Sequence, residues 1–353
     1  MENRNRLYLD VVKGIAVFLM LWGHCIQYCA LGSFSCFDNV VFETIYTFHM
    51  PLFMLVSGYL YFFSFQKRDL KTLLVHRAQS LLQPIVFCTV LYNLLMNLAY
   101  QVFSGTGVLF NGTLFTGMPY MLWFLWCVLG SSVAVGIACK VTDKGWLQGI
   151  LLTAGVFFVA LFQDNSYQLF MYPFFVGGFL FAKHKASLLR MIGKWKYAAL
   201  VIFPAMLPFY ERKHYIYITP FLSGDYDAVS LLRINTFRIL IGFAGSAFVL
   251  VLVDMLFCAT VRRGHVPKVL KAVGKIGENS LQIYCLSVPL LSGYLPVAYE
   301  KLMLLFGYNV FAENMTVYSL LFTPLLAAAY SAGLYAVVLI LKKLKIHALI
   351  FGR

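Results

Sequence analysis

Long runs of apolar residues, parted by short basic clusters, set the pattern of this chain. A helix that crosses a bilayer needs roughly 20 mostly apolar residues. On that criterion the pattern predicts spans near residues 9–31, 42–64, 80–103, 119–139, 146–163, 167–182, 197–210, 234–259, 280–304 and 316–341. The expected fold class is therefore all-α, a polytopic transmembrane helical bundle of about ten spans in a single domain over residues 1–353. The first apolar run is too long for a cleavable signal peptide, has no small-residue cleavage site and leads straight into further spans.

Composition strengthens this reading. Of 353 residues, 61% are hydrophobic, 17% aromatic and only 12% charged, about half the charged share of a soluble domain. The net charge of +14 comes mostly from short basic clusters between apolar runs, which argues for topogenic charge and against nucleic acid. With the N-terminus inside, 23 of the 28 Lys and Arg fall on cytoplasmic segments, among them Arg4, Arg6, Lys67, Arg68, Lys71, Arg77, Arg262 and Arg263. Arg212, Lys213, Arg233, Arg238 and Lys301 are the exceptions. A miscounted helix would invert the sign of every later loop, and no inversion occurs, so both termini are expected in the cytoplasm. The eight cysteines are mostly inside apolar runs, and none has zinc-ligand spacing, so no metal site is expected.

Ionisable residues inside a span are costly and mark function by default. The first span carries Asp10, Lys13, His24 and Gln27 on one side. At 100° per residue Lys13 and His24 are about 20° from eclipsed, and Asp10 lies about 40° from His24. A polar stripe therefore climbs one face of this helix. Lys13 and Asp10 could snorkel and pair at the inner end. His24 lies roughly 16 Å deeper than Lys13, beyond reach of the inner headgroups. The second span, IYTFHMPLFMLVSGYLYFF, brings His49 to a matching depth beside Pro51, which removes a backbone donor. Ser57 and Gly58 fit close helix packing as well as chemistry. The run KRDLKTLLVHR supplies Arg68 and Arg77, suited either to topology or to an anionic ligand. Arg238 inside the eighth span should line a polar cavity. Trp123 and Trp126 serve equally as interface anchors or ligand contacts. The connection from Glu211 to Leu232 is the one outer loop with enough polar material to meet a ligand.

LDVVKGIAVFLMLWGH followed by FHMPLFMLVSGYLY resembles the opening of the integral membrane acyltransferase-3 family, closest to its fucose-4-O-acetylase-like, polysaccharide-modifying branch. The basic residue, ten positions and histidine of that family match Lys13 and His24. The resemblance extends to Phe48–Phe53, Ser57–Tyr59, His76–Pro84, Trp123–Leu125 and IGENSLQIYCLSVPLL, where Ser287 stands in place of the family's late histidine. It implies an acetyl-CoA-dependent O-acyltransferase of the bacterial cytoplasmic membrane. Such an enzyme moves an acetyl group from cytoplasmic acyl-CoA, a substrate and not a bound cofactor, to a hydroxyl of a cell-surface glycan or lipid-linked sugar. His24 would act as general base or acyl carrier. Lys13, held by Asp10, would meet the donor with Arg68 and Arg77. His49, Arg238, Trp123 and Ser57 would serve the acceptor or the thioester oxygen. A transporter or flippase for a polysaccharide or lipid-linked sugar would use the same stripe as a path.

Overall fold

A computed structural model describes residues 2–29, 35–104, 117, 122–161, 165–261, 264–289 and 315–352. The described residues are helical, with short connections and no strand. Helices α1 (Glu2–Tyr28), α2 (Val40–Lys67), α3 (Leu70–Ser104), α4 (Trp123–Val141), α5 (Gly145–Val159) and α6 (Asn165–Lys183) follow one another. After α7 (Lys185–Ile192) and α8 (Ala199–Met206) come α9 (Ala228–Ala259), α10 (Lys268–Glu278) and α11 (Ser280–Pro289). The chain ends in α12, Met315–Lys343 with a π-helical turn at Tyr318–Phe322, and α13 (His347–Phe351).

Six of these helices, α1, α2, α3, α4, α9 and α12, are long and apolar enough to cross a membrane. At 1.5 Å per residue the 27 residues of α1 extend about 40 Å, more than the roughly 30 Å of hydrocarbon. Helices α5 and α8 are apolar but shorter. Residues 290–304 of the ninth expected span, with Arg262, Arg263 and Lys301, lie outside the described residues.

Helix α2 is the centre of the bundle and packs against α6, α9 and α1. Its contact with α6 is backbone to backbone, because side chains at Gly58 and Gly178 would overlap the Phe175 and Leu55 carbonyls. Asn39 caps α2, accepting from the Val41 and Phe42 N–H groups, and its amide donates to Ser319 at 2.5 Å. Both α2 and α12 are thereby tied at the end of the bundle where α1 finishes. There the Tyr318 hydroxyl donates to the Cys25 and Ile26 carbonyls of the last turn of α1, the first of which also accepts the Cys29 N–H.

Basic residues gather at the opposite end. Lys140 lies over the Phe65 ring, Lys183 donates to Gln148, Lys185 to Tyr59, Lys196 to Asp254 and Lys342 to Asn279. Two sequence expectations are corrected here. The basic run read as a loop before the third span begins at Leu70 as the first turns of α3, so Lys71, His76 and Arg77 stand on a helix. The segment read as the charged loop before the ninth span holds α10, an amphipathic helix laid along the first half of α1. It buries Leu270, Gly274 and Gly277 and exposes Lys268, Lys271 and Lys275. Eleven residues fall far short of a span, so hydropathy alone assigns them to a loop.

Candidate functional site

The polar stripe of α1 divides into two groups. At the N-terminal end Lys13 Nζ lies 2.8 Å from Asp10 Oδ1, with both side chains less than a fifth exposed. Arg6 approaches Asp10 at 3.8 Å and pairs with Glu278 of α10 at 2.7 Å. Lys13 therefore sits at the edge of a four-residue ionic chain. Arg77 stacks over the Tyr61 ring at 4.8 Å, and Tyr61 donates to the Ser132 carbonyl. Arg68 ends α2, partly exposed. These cations share one end of the bundle, while no described ion pair or hydrogen bond joins Arg68 or Arg77 to Lys13.

The second group lies four residues from the far end of α1. His24 Nδ1 is 3.1 Å from Gln27 Oε1 and 3.3 Å from Tyr46 Oη of α2. Tyr28 stacks on the imidazole with centroids 5.6 Å apart and planes inclined by 15°. Tyr46 reaches this position because residue 23 is glycine; an added Cβ there would come 2.6 Å from Tyr46 Cε2. On its other side Tyr46 packs against His49, centroids 4.7 Å apart. One tyrosine thus stands between the two histidines. His49 is 3% exposed and donates from Nδ1 to the Ile45 carbonyl at 2.8 Å, which leaves Nε2 without a proton when the ring is neutral. Two residues on, Pro51 deprives the Thr47 carbonyl of its helical donor.

His49, Thr47 and Tyr46 line a cavity of about 20 Å³, closed on its other sides by Trp123, Arg238, His214 and Tyr217 among others. That volume holds about one water. Trp123, the first residue of α4, stacks on Tyr167 at 4.7 Å, and Tyr167 meets Tyr217, which meets Tyr46. Tyr217 remains 43% exposed, so this aromatic wall runs from the surface to the histidines.

Arg238 is 1% exposed. Its guanidinium donates to Asn235 Oδ1 at 2.9 Å, the Thr219 carbonyl at 3.0 Å and the Lys213 carbonyl at 3.3 Å, drawing the 210–227 connection over the cavity. Its Nε has no hydrogen-bond partner, and no carboxylate pairs with it, among the described residues. Arg238 is thus first a strut for the loop, with its Nε–H left unused. His214, in that loop, accepts the Glu211 N–H at Nδ1 and packs on Phe237. Burial, reinforced by the neighbouring Lys213 charge, pushes its pKa down to about 4.

The structure sets His49, Trp123 and Arg238 around one tyrosine-lined cavity, with His24 behind its wall, on the far side of Tyr46 from His49. It leaves Ser57 outside: eight residues beyond His49, that side chain lies about 12 Å further along α2 and does not line the cavity. Ser287 donates to the Tyr284 carbonyl inside its own helix. Sequence reasoning missed Tyr46, Tyr167, Tyr217 and His214. For Tyr46 the signal was available, since it stands three residues before His49 on the same helical face, opposite a glycine that adjoins His24. No described cluster of His, Cys, Asp and Glu could hold a metal ion.

Comparison with known proteins adds a family to this geometry. Nodulation protein NolL of Mesorhizobium japonicum is 29% identical over 203 residues, 57% of this chain and 54% of that protein. Nodulation protein NolL of Sinorhizobium fredii is 30% identical over 268 residues, 69% of this chain and 66% of that protein. The matched region thus spans about half to two thirds of the length of these curated relatives. No solved structure matches. The acyltransferase domain profile of the acyltransferase-3 family matches residues 6–342, nearly the whole chain, and the protein belongs to that family.

Proposed function

We propose that this protein is a multi-pass O-acyltransferase of the bacterial cytoplasmic membrane that moves an acetyl group from cytoplasmic acetyl-CoA to a hydroxyl of a cell-surface glycan or lipid-linked sugar. The observation that carries the reading is the split of the α1 stripe. A cation-rich group at one end is joined through the helix to a histidine–tyrosine–histidine cluster about 16 Å away, beneath a loop and an aromatic wall. One end suits the phosphates of an acyl-CoA, and the other suits a sugar.

In this reading Lys13, positioned by Asp10, meets the anionic donor with Arg68 and Arg77 nearby. The donor's long arm carries the thioester up to His24. The acceptor enters from the 210–227 side and lies against Trp123, Tyr167 and Tyr217, whose ring faces suit the C–H face of a pyranose. His24 takes the proton of the acceptor hydroxyl as its oxygen attacks the thioester carbonyl carbon. The C–O bond forms, the C–S bond breaks, and the proton passes from His24 to the thiolate to give free CoA and the O-acetyl sugar. The developing carbonyl oxyanion needs a donor, and the unpartnered Nε–H of Arg238, a residue that lines the cavity, would supply it. The cavity holds one water when closed, so the loop must lift to admit the sugar.

The test is turnover by purified protein in lipid nanodiscs. With acetyl-CoA and an oligosaccharide acceptor, free thiol and acetylated sugar should appear in equal amounts. A transporter or flippase using the same stripe would leave acetyl-CoA intact.

A further inference from the structure

Gln27 has no task in the reaction as described, although the polar stripe places it one turn beyond His24. Its Oε1 is 3.1 Å from His24 Nδ1 and 3.4 Å from Tyr46 Oη, and Tyr46 donates to it. An amide oxygen only accepts, so each partner must bring it a proton. For His24 that proton is on Nδ1, and a neutral imidazole carries one ring proton, so Nε2 is left bare. The ring cannot easily turn to exchange its nitrogens. Tyr28 covers one face, and the edge of Tyr46 closes from the side through the space that Gly23 leaves.

We propose that Gln27 is a positioning residue that holds His24 in the Nδ1–H tautomer, making Nε2 the nitrogen that receives the acceptor's proton, with Tyr46 locking the Gln27 amide in the required orientation. The inference rests on the reading of His24 as the base. A neutral amide suits this depth better than a carboxylate, whose charge would be costly to bury. Asp10 is fourteen residues away, about 21 Å along the helix, and cannot take the role. The histidine needs its tautomer set by a local partner, and Gln27 is one turn away on the same face.

The test pairs kinetics with a direct view of the proton. In nanodiscs, protein labelled with ¹⁵N at its 7 histidines, with the His24 signal identified by its absence in His24→Ala, should show Nδ1 protonated and Nε2 bare. Gln27→Met, close in size and unable to accept strongly, should lose kcat roughly ten- to a hundredfold, with KM for acetyl-CoA unchanged. A wild-type spectrum with the His24 proton on Nε2, or a Gln27→Met enzyme with wild-type kcat, overturns the proposal. If that occurs while His24→Ala is inactive, only the assignment of Gln27 fails. If His24→Ala also retains full activity, the base reading fails with it.

Discussion

Replacing Gly23 by alanine tests whether the meeting of Tyr46 with His24 and Gln27 matters for turnover. A methyl group at residue 23 would lie 2.6 Å from Tyr46 Cε2, where carbon–carbon contact needs about 3.5–4.0 Å. The ring must retreat by about 1 Å. Its hydroxyl already sits at the outer limit of hydrogen bonding, 3.3 Å from His24 Nδ1 and 3.4 Å from Gln27 Oε1, so both contacts break. Overpacking of this kind costs about 1–3 kcal/mol of stability. Misplacement by about 1 Å near the reacting groups costs on the order of a hundredfold in rate. The assay is acetyl transfer in nanodiscs together with a thermal melt. Gly23→Ala should lose one to two orders of magnitude in kcat, roughly as a misplacement of this size implies, with a modest fall in Tm. Tyr46→Phe, which removes the hydroxyl and keeps the ring, should lower kcat in the same direction with Tm nearly unchanged. A Gly23→Ala enzyme that turns over at the wild-type rate would refute the reasoning, since the site would then tolerate losing the tyrosine's position.

Three further outcomes follow from the geometry. His214 has a pKa of about 4 in the closed loop against an ordinary 6.5, so the closed state disfavours protonation. Loop closure is therefore undiminished above pH 6.5 and weakens as pH falls from 6.5 towards 4. Linkage gives about a twentyfold shift towards the open loop between pH 7 and pH 5; hydrogen exchange in residues 210–221 should rise accordingly, and His214→Gln should remove the pH dependence. Arg238→Met leaves the Lys213 and Thr219 carbonyls without their donor, at about 1–3 kcal/mol for each buried group; faster exchange in the same loop at pH 7 reads this out, and unchanged exchange contradicts the strut role. Lys13→Met should raise KM for acetyl-CoA about tenfold, while Lys13→Arg should largely preserve it; equal KM values in all three enzymes would remove Lys13 from the donor site.

The apolar runs made the long helices legible, because a bilayer demands length and hydropathy that no other environment requires in combination. The Lys13–His24 stripe was legible for the same reason, since any charge within such a run stands out. Helix α10 was not. Its pattern of buried Leu270, Gly274 and Gly277 against exposed lysines is amphipathic, and what it covers is α1, which hydropathy along the chain cannot reveal. The rest of the aromatic wall was hidden by composition: among 22 tyrosines and 33 phenylalanines, nothing local distinguishes Tyr167 and Tyr217 from packing residues. Arg238 was conspicuous inside its apolar helix, but its role as a strut depends on carbonyls 19 and 25 residues earlier. Ser57 matched a motif, and eight residues of helical rise place it about 12 Å beyond His49 along α2.

In the proposed reaction His24 moves the proton of an acyl transfer. Wild-type protein and His24→Ala, both purified, folded and reconstituted in the same nanodiscs, should be compared for the rate of CoA thiol release that depends on a sugar acceptor. The wild type should give thiol and O-acetyl sugar in equal amounts, and His24→Ala should lose at least about a hundredfold in rate. Wild-type turnover in His24→Ala would contradict that role.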